Sequence, residues 1–514
     1  MPRPRVLVVG AGSSGLAAIQ QSLLAGLEPT CIEARAGVGG AWRYDPEPGT
    51  PTARWTDDGW LALESLNEST FRGPPPPSPM YSSLRTNVPT SLMQYRGRPF
   101  PPSVGLFAHH QQVQDYLEDF SESLLPFIRF NTRVTTIRHA LPSDPPPSSG
   151  SRRWFASFRS TIDGNEAADE TAHFDAVFVA NGHYSRPFLH WMDGLRTFPG
   201  EISHARWYRD AEQFQEETVL VIGNSASGYD ITRELASSIH SRRLADPDAA
   251  SALPKIYQSA RSPAALGIPW DAPDAPEYSN EVHEVPPIKR IEARRIEFED
   301  GQVVEDVDTI VFATGYYFSF PFLSPEHEPF KTHPVTYSPT KDGGRGEPSG
   351  AEGGIRMHGL DDRFLFLLAD PTMAFLALPY LTIPFPLAQT QARLAALHFA
   401  SSPLLPRPLA FAPDPSCADP LTGAPDGAPE SRKPVTWAEP RGRQYDVMDR
   451  LMRESGDVAR AEAEREEGEG ERKGEGGGEK GGLTGERAVF GLTSQAERDL
   501  RVGAKALRKA VLGY

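Results

Sequence analysis

The chain has 514 residues, a formal net charge of −16, 45 glycines, 50 prolines and two cysteines. This length suffices for roughly two to four domains, and the acidic balance argues against a nucleic-acid binder, which needs a basic surface. Cys31 and Cys417 are too few for a disulfide framework or a cysteine-rich metal site, so we expect no metal centre. No apolar run reaches the length of a membrane span or a signal-peptide core; we therefore expect a soluble, cytoplasmic protein without a membrane anchor.

The first predicted element is a strand that leads into a glycine-rich turn. Residues 5–16 read RVLVVGAGSSGL, a continuous apolar run followed by small residues and a helical pattern. In this context Gly10, Gly12 and Gly15 predict a dinucleotide-binding turn. The first permits the turn, the second lets the backbone approach a pyrophosphate, and the third permits helix–strand packing. Ser14, at the start of the helix, is a further cofactor-binding candidate.

The next elements extend the same α/β pattern. Residues 30–33 predict a second strand, and Glu33 at its end lies where a carboxylate can accept hydrogen bonds from an adenosine ribose. The alternative is a surface Glu that merely follows a glycine-rich turn. Further along, residues 111–125 have helical spacing that closes at Pro126, and residues 176–182 predict a strand that ends in a tight turn.

A second copy of the opening unit follows about two hundred residues later, which indicates duplication rather than a solenoid. Residues 218–229 read TVLVIGNSASGY. Gly223, Ser225, Ser227 and Gly228 are the coenzyme-binding candidates of this turn. Ser225 replaces the middle glycine, so it holds a phosphate slightly farther away but adds a hydroxyl donor.

The second unit favours NADPH over NADH. Its predicted strand over 255–259 ends without a carboxylate and leads to Arg261, which suits a 2′-phosphate; the alternative is that Arg261 is a solvated loop residue. Two dinucleotide sites in one chain indicate a hydride donor that faces a flavin. Electron transfer to a disulfide is disfavoured, because Cys31 lies within a strand and Cys417 is far from it in sequence. Molecular oxygen or a diffusible acceptor remains.

A family resemblance rests on residues 198–209, FPGEISHARWYR, just before the second turn. This segment resembles the fingerprint of the class B flavin-containing monooxygenases. Other resembling segments follow the family order over most of the chain: 37–42 (GVGGAW), 81–87 (YSSLRTN, the family's Thr-Asn strand), 180–183 (ANGH), 313–316 (ATGY), 383–386 (IPFP) and 391–392 (QA). The insert at 54–79 and a later Glu/Gly-rich insert look most like fungal members.

The resemblance implies FAD and NADPH as cofactors, and O2 and a small molecule as substrates. NADPH reduces FAD, NADP⁺ stays bound, and the reduced flavin captures oxygen as a C4a-hydroperoxide. That species transfers one oxygen atom to a soft nitrogen or sulfur nucleophile, and the protein keeps it dry. The resemblance implies no nucleic-acid or membrane partner and leaves homo-oligomer formation open.

The resemblance also implies roles for individual residues. Asn87 carries over as the catalytic polar residue beside the flavin, with an Asn satisfied locally in a turn as the alternative. Gly40, Trp42, Thr86 and Gln391 carry over as further cofactor-binding candidates. Gln391 is expected to face the flavin from a helix, the alternative being an exposed Gln. Trp42 either packs on the flavin edge or belongs to the core.

The resemblance implies that His204 and Tyr208 organise the linker between domains and contact NADP⁺.

Three functions stay open. Tyr208 and Arg209 stand where Baeyer–Villiger relatives carry Trp followed by Pro or Asp, which favours heteroatom oxygenation over insertion into a ketone. Baeyer–Villiger oxygenation remains the first alternative, and a catalytically weak FAD- and NADP-binding interaction protein the second. His109 and His110 are left as structural residues.

We therefore predict the α/β fold class with two dinucleotide-binding, Rossmann-like domains, in which the FAD domain is discontinuous around an inserted NADPH domain. A Ser494–Glu497 capping box predicts a helix near the end of the chain. The predicted divisions are 1–205 (first part of the FAD domain), 212–313 (NADPH domain), 314–455 (returning part of the FAD domain with a Pro-rich segment), 456–486 (disordered Glu/Gly-rich insert) and 487–514 (C-terminal helix).

Overall fold

A computed structural model describes most of the chain. The described residues are 3–56, 59–65, 75–146, 153–162, 169–248, 250–262, 267–340, 345–350, 353–413, 443–457 and 492–513. Apart from Gly456 and Asp457, the predicted Glu/Gly-rich insert lies outside them, as do the Pro-rich segment beyond residue 413 and residues 487–491. The predicted disorder of the insert therefore stays a prediction.

The strands fall into three groups along the chain. Those before the fingerprint segment are β1 Arg5–Val9, β2 Glu28–Ile32, β3 Pro51–Trp55, β4 Leu61–Ser65, β5 Ile128–Arg129, β6 Thr132–His139, β7 Trp154–Ser160, β8 Glu170–Phe174, β9 Ala176–Val179 and β10 Arg186–Pro187. The middle group is β11 Glu201–His204, β12 Val219–Ile222, β13 Ile256–Ser259, β14 Val282–Val285, β15 Ile288–Glu292, β16 Arg295–Phe298, β17 Val303–Val304 and β18 Thr309–Phe312. The last group is β19 Tyr316–Tyr317, β20 Tyr337–Pro339, β21 Arg345–Pro348 and β22 Met373–Phe375.

The helices flank these strands. They are α1 Ser13–Leu24, α2 Thr90–Met93, α3 His110–Ser121, α4 Ala226–Ala245, α5 Pro384–Phe399, α6 Arg443–Glu454 and α7 Gln495–Leu512. Within the described residues, no helix combines the length and the apolar character that crossing a membrane requires.

The first parallel sheet has five strands in the order β22-β9-β1-β2-β5. Its centre is the predicted opening strand, in which Val9 lies beside Ile32 on one side and Val179 on the other. Residues 6–9 of β1 are buried on both faces, as a continuous apolar run in a parallel sheet should be. β22 comes from the returning part of the chain, so the first sheet is completed by a strand that follows the whole second sheet in sequence.

The second parallel sheet repeats this arrangement with the order β11-β18-β12-β13-β14. Its central strand β12 pairs with β13 and with β18, and all four of its residues are buried. The predicted α/β fold class with two Rossmann-like units is thus confirmed. The edge strand Glu201–His204 pairs with β18 but lies before residue 212, so the second sheet begins earlier than the predicted boundary.

Several elements differ from the sequence prediction or were absent from it. β2 ends at Ile32, so Glu33 follows the strand instead of ending it. Residues 81–87 form turns with one isolated bridge from Arg85 to His109, so the expected strand there is wrong. Pro126 lies inside a short 3-10 turn rather than after a helix. The hairpin β3–β4, the antiparallel sheets β6–β7–β8 and β15–β16–β17, and helix α6 were not predicted.

The predicted C-terminal helix is confirmed over Gln495–Leu512, and its Ser494 cap forms the expected box with Glu497. One end of α7 contacts α6, where Arg498 lies 2.5 Å from the Asp449 carboxylate. The other end reaches the second unit, where Arg508 lies 3.5 Å from Asp230 on α4. The helix therefore spans both nucleotide-binding units.

Candidate coenzyme sites and the segment between them

The first glycine turn forms where β1 runs into α1. Gly10 has φ +95°, and a Cβ there would lie 2.8 Å from the Ala180 carbonyl oxygen, so only glycine fits. A Cβ at Gly15 would overlap the Gly10 carbonyl oxygen, which explains why the third glycine is required for helix–strand packing. No described side chain caps the start of α1, and no acidic residue lies in its first turn. The backbone amides of the first turn of α1, including that of Ser14, are therefore available to bind an anion.

Glu33 lies beside this turn as a buried carboxylate. Its Oε2 accepts a hydrogen bond from the Ala11 amide at 2.6 Å and its Oε1 accepts one from the Arg35 amide at 2.8 Å. Burial raises the pKa of Glu33, and these two backbone donors oppose that shift. The alternative of a surface Glu does not hold, because the side chain is built into the carboxyl edge of the sheet.

Further FAD candidates reach the same edge. Gly40 packs on the turn so closely that a Cβ there would lie 3.0 Å from Gly12 Cα. Gln391 is fully buried, which excludes the exposed alternative; its Oε1 accepts from the Ala377 amide at 2.8 Å, just beyond β22, and its Nε2 has no partner in the described structure. A glycine cradle, a buried carboxylate and an orphaned amide fit a dinucleotide such as FAD. Trp42 packs edge-on against Phe385 at 6.2 Å, so it has at least a core contact.

The Tyr81–Asn87 segment lies between the two units. Its Thr86 amide donates to the Ala108 carbonyl at 2.9 Å, which ties it to the start of α3, while the Thr86 hydroxyl is buried without a partner. The Asn87 side chain is half-buried and makes no hydrogen bond with any described residue. The local satisfaction that was the alternative interpretation of Asn87 is therefore not observed, and its amide is available to a ligand.

The second glycine turn repeats the geometry of the first. Gly223 has φ +107°, and a Cβ there would lie 2.6 Å from the Ala313 carbonyl oxygen. A Cβ at Gly228 would overlap the Gly223 carbonyl oxygen. Ser225 precedes α4 without capping it, so the first amides of this helix, including that of Ser227, also remain for an anion. These residues fit a second dinucleotide such as NADPH.

The loop after β13 covers the second turn. Arg261 is exposed and makes no hydrogen bond or ion pair within the described residues. Farther along, Trp270 stacks on Tyr229 with ring centroids 4.4 Å apart, and its indole N–H donates to Gln258 at 2.6 Å. Sequence reasoning missed this stack. A Trp after the Gly267-x-Pro269 stretch was the only local signal, and it says nothing about its partner.

His204 ends the edge strand β11 of the second sheet. Its Nε2 donates to the Gly315 carbonyl at 3.0 Å, while its Nδ1 accepts from the Arg206 amide at 3.0 Å. Burial lowers the pKa of His204 to about 3, so the imidazole stays neutral in this one tautomer. The bond to Gly315 lies within the second unit, so the expected role of His204 in the linker and its contact with NADP⁺ stay predictions.

Arg209 was noted in the sequence only as a departure from Baeyer–Villiger relatives, yet it fixes this linker. Its guanidinium donates to the carbonyls of Asp45 at 2.7 Å, Ser78 at 2.8 Å, Tyr208 at 2.9 Å and Arg206 at 3.1 Å. With four backbone acceptors in three segments, this buried side chain holds the three segments together. No local sequence pattern predicts such a set of partners.

Comparison with protein families identifies a match to the family described as flavin-binding monooxygenase-like, over residues 3–55, 74–259 and 279–335. The chain is 26% identical over 421 residues to the thiol-specific monooxygenase of Saccharomyces cerevisiae, covering 78% of each protein. It is 31% identical over 332 residues to the flavin-containing monooxygenase FMO GS-OX5 of Arabidopsis thaliana, covering 62% of this chain and 61% of the relative.

The fold is also that of a solved oxygenase. The structure of S-allyl-L-cysteine S-oxygenase from Allium sativum superposes with a TM-score of 0.66 at 21% identity, covering 99% of this chain and 94% of that one. At 21% identity, this similarity shows a shared fold and no more.

Proposed function

We propose a function that starts from one fact: this chain belongs to the flavin-binding monooxygenase-like family and is an FAD monooxygenase that uses NADPH. In our proposal it oxygenates a soft nitrogen or sulfur nucleophile of a small molecule. NADPH supplies two electrons, one atom of O2 enters the substrate, and the other leaves as water. When bound, FAD supplies the activation of oxygen.

The observation that carries the proposal is the position of the Asn87 segment. It is tied to α3 on the FAD side through the Ala108 carbonyl and to the linker through Ser82, whose amide donates to the Arg209 carbonyl at 2.9 Å. Asn87 has a half-buried amide without a described partner. In the proposal this amide donates to the flavin ring or to a water beside it and helps to exclude bulk solvent from that place.

The remaining candidates have assigned places in this proposal. Residues 1–205 and 314–455 form the FAD domain and 212–313 bind NADPH, with the edge strand Glu201–His204 donated across the boundary. The proposed FAD contacts are Gly10, Gly12, Ser14, Gly15, Glu33, Gly40, Trp42, Thr86, Asn87 and Gln391. The proposed NADPH contacts are Gly223, Ser225, Ser227, Gly228 and Arg261, the last on the 2′-phosphate.

The test is turnover of three probes by the purified, FAD-loaded protein with NADPH and isotopically labelled O2. Thioanisole and N,N-dimethylaniline should give a labelled sulfoxide or N-oxide in proportion to the NADPH oxidised. Ester from cyclohexanone without sulfoxide or N-oxide would replace the proposal with Baeyer–Villiger oxygenation. Cofactor binding with no product from any probe would favour the interaction protein.

Asn87→Ala tests the assigned residue within the same assay. The variant should keep FAD, but a larger share of the NADPH electrons should appear as hydrogen peroxide, because one polar contact beside the flavin is lost. Asn280→Ala is the matched control: its amide donates only to the Glu277 carbonyl in the other unit. Equal product yields per NADPH in both variants would remove Asn87 from the proposal.

A further inference from the structure

Two carboxylates one turn apart on α4 accept hydrogen bonds from hydroxyl groups of two other segments of the chain. Tyr81 Oη donates to Asp230 Oδ2 at 2.5 Å, and Tyr208 Oη donates to Glu234 Oε2 at 2.7 Å. The Ser83 hydroxyl also donates to Glu234. Tyr81 and Ser83 belong to the segment that ends in Asn87. The helix that begins at the second glycine turn is therefore bonded directly to the segment that carries the proposed catalytic amide.

The Tyr81–Asp230 bond is buried, and two arginines balance the charge of the two carboxylates. Tyr81 and Asp230 are each only 4% exposed. Burial, reinforced by the neighbouring carboxylate, raises the pKa of the Tyr81 phenol, so it remains a protonated donor. Arg233 lies 3.1 Å from the Glu234 carboxylate and 3.7 Å from that of Asp230, and Arg508 from α7 lies 3.5 Å from Asp230. A hydroxyl–carboxylate bond in such surroundings is strong, because water cannot replace it at low cost.

The opposite side of the segment is held equally firmly. His109 Nε2 and His110 Nε2 both lie within hydrogen-bond distance of the Ser82 carbonyl, at 2.7 and 3.1 Å. The His110 amide donates to the Leu84 carbonyl at 3.0 Å. The segment is thus held between the start of α3 and the side of α4 that carries Asp230 and Glu234. A shift of α4 has to move Tyr81 and Ser83, and with them the chain that leads to Asn87.

We propose that Asp230 and Glu234 are positioning residues that set the place of Asn87 relative to the bound nicotinamide coenzyme. They act through the hydroxyls of Tyr81, Ser83 and Tyr208 and do not touch the reacting atoms. The consequence of this position for catalysis rests on the proposed function, whereas the coupling of the segment to α4 does not. Coenzyme phosphates bound at the start of α4 order the Asn87 segment through these bonds.

The test is amide hydrogen exchange of residues 81–87 in the FAD-loaded protein, with and without NADP⁺. In the wild type, NADP⁺ should slow this exchange. In the double variant Tyr81→Phe/Tyr208→Phe, which keeps both rings, exchange should be about tenfold faster and should no longer respond to NADP⁺. Calorimetry should find the NADP⁺ affinity of the single variant Tyr81→Phe within about threefold of the wild type, because Tyr81, unlike Tyr208, is not among the expected coenzyme contacts.

Tyr257→Phe is the matched control. It removes a Tyr–Asp hydrogen bond of the same unit, from Tyr257 to Asp306 at 3.2 Å, which does not reach the segment. Its exchange pattern should equal that of the wild type. If the double variant does not fold, the single variants Tyr81→Phe and Tyr208→Phe provide the same measurement one bond at a time.

The outcomes separate this inference from the proposed function. Unchanged exchange and unchanged NADP⁺ protection of residues 81–87 in the variants would overturn the inference, whatever the enzyme oxygenates. Lost protection supports it even if none of the three probes is turned over. Where turnover occurs, Tyr81→Phe should release more hydrogen peroxide per NADPH while the KM for NADPH stays nearly constant, a split that general destabilisation does not produce.

Discussion

The two glycine turns of this protein have the same backbone geometry although they share few side chains. In each, the first glycine has a positive φ, +95° for Gly10 and +107° for Gly223. In each, a Cβ at that glycine would crowd the carbonyl of the alanine that follows the neighbouring strand, Ala180 after β9 in the first unit and Ala313 after β18 in the second. The duplicated element is therefore the turn together with the strand end that crosses behind it, not the turn alone.

The two units differ in the residues that follow the strand beside each glycine turn. The strand beside the first turn leads to Glu33, a buried carboxylate that is bonded to the turn itself. The equivalent strand in the second unit ends at Ser259, whose hydroxyl donates to the Pro286 carbonyl, and is followed by the exposed Arg261. In our proposal, the shared backbone provides a phosphate site twice, and Glu33 in the first unit and Arg261 in the second distinguish a ribose hydroxyl from a ribose phosphate.

The largest expected effects come from filling the third glycine of each turn. Gly15→Ala and Gly228→Ala each push a methyl group into the carbonyl of the first glycine, which should cost about 1–3 kcal/mol of stability and displace the turn. Gly15→Ala should leave a protein with little FAD. Gly228→Ala should stay yellow and bind NADP⁺ at least about tenfold more weakly. Flavin absorbance and calorimetry with NADP⁺ measure the two outcomes.

Gly105→Ala is the control, because a Cβ there meets no atom within 4 Å. It should retain both coenzymes. If Gly15→Ala and Gly228→Ala each lost both coenzymes to the same extent, the two units would not be separate binding sites and the comparison between them would fail.

Glu33→Gln tests what is particular to the first unit. The Ala11 and Arg35 amides both point at this carboxylate, and an amide side chain can accept only at its oxygen. One donor would face the NH2 group, so FAD affinity should fall by about tenfold to a hundredfold, with NADP⁺ affinity unchanged. Fluorescence titration of the apoprotein with FAD measures the change. Equal FAD affinity in variant and wild type would contradict a role for Glu33.

The sequence predicted both units because their signals are local. A four- or five-residue apolar run followed by glycines at fixed spacing specifies a buried strand and a tight turn without reference to the rest of the chain. The Ser494 capping box predicted α7 in the same way. The fold class and the positions of both glycine turns could therefore be predicted from the sequence.

The segment between the units could not be predicted, because its partners are distant in sequence. Tyr81 and Asp230 are 149 positions apart, and Arg209 and Asp45 are 164 apart. Helix α6 did carry a signal, since Tyr445, Met448, Leu451 and Met452 have helical spacing and are buried. The surrounding Pro-rich and charged stretches hid it.

Arg261→Ala tests the residue that distinguishes the second unit. Arg261 is exposed, so its contact with a 2′-phosphate would be solvated, and we expect the KM for NADPH to rise about tenfold. The KM for NADH should change little. Arg242→Ala is the control: this half-buried arginine of the same unit pairs with Glu216 at 3.0 Å. Parallel losses for NADPH and NADH in Arg261→Ala would show that the residue does not read the phosphate.

The smallest expected effect is on the pH dependence of stability, and it comes from the histidines beside the turns that follow β9 and β18. His183 follows the Ala180–Gly182 turn of the first unit, and burial lowers its pKa to about 4. His204 is bonded to Gly315 in the equivalent turn of the second unit, and burial lowers its pKa to about 3. The folded protein keeps both neutral, whereas the unfolded chain takes up protons near pH 6.5. Acidification below that pH therefore favours unfolding, and the effect is absent at neutral pH and above.

His204→Gln isolates the contribution of the second turn. Between pH 7 and about pH 5.5, one histidine that stays neutral in the folded state should cost about 1 kcal/mol of unfolding free energy, and the variant should be spared this loss. Urea unfolding at several pH values measures the slope, and His240→Gln serves as control because His240 is partly exposed and lies beside Glu281. A slope in His204→Gln equal to that of the wild type would mean that His204 is protonated in the folded protein, in which case Nδ1 could not accept from Arg206. The hydrogen bonds of His204 to Gly315 and to Arg206 would then have to be reassigned.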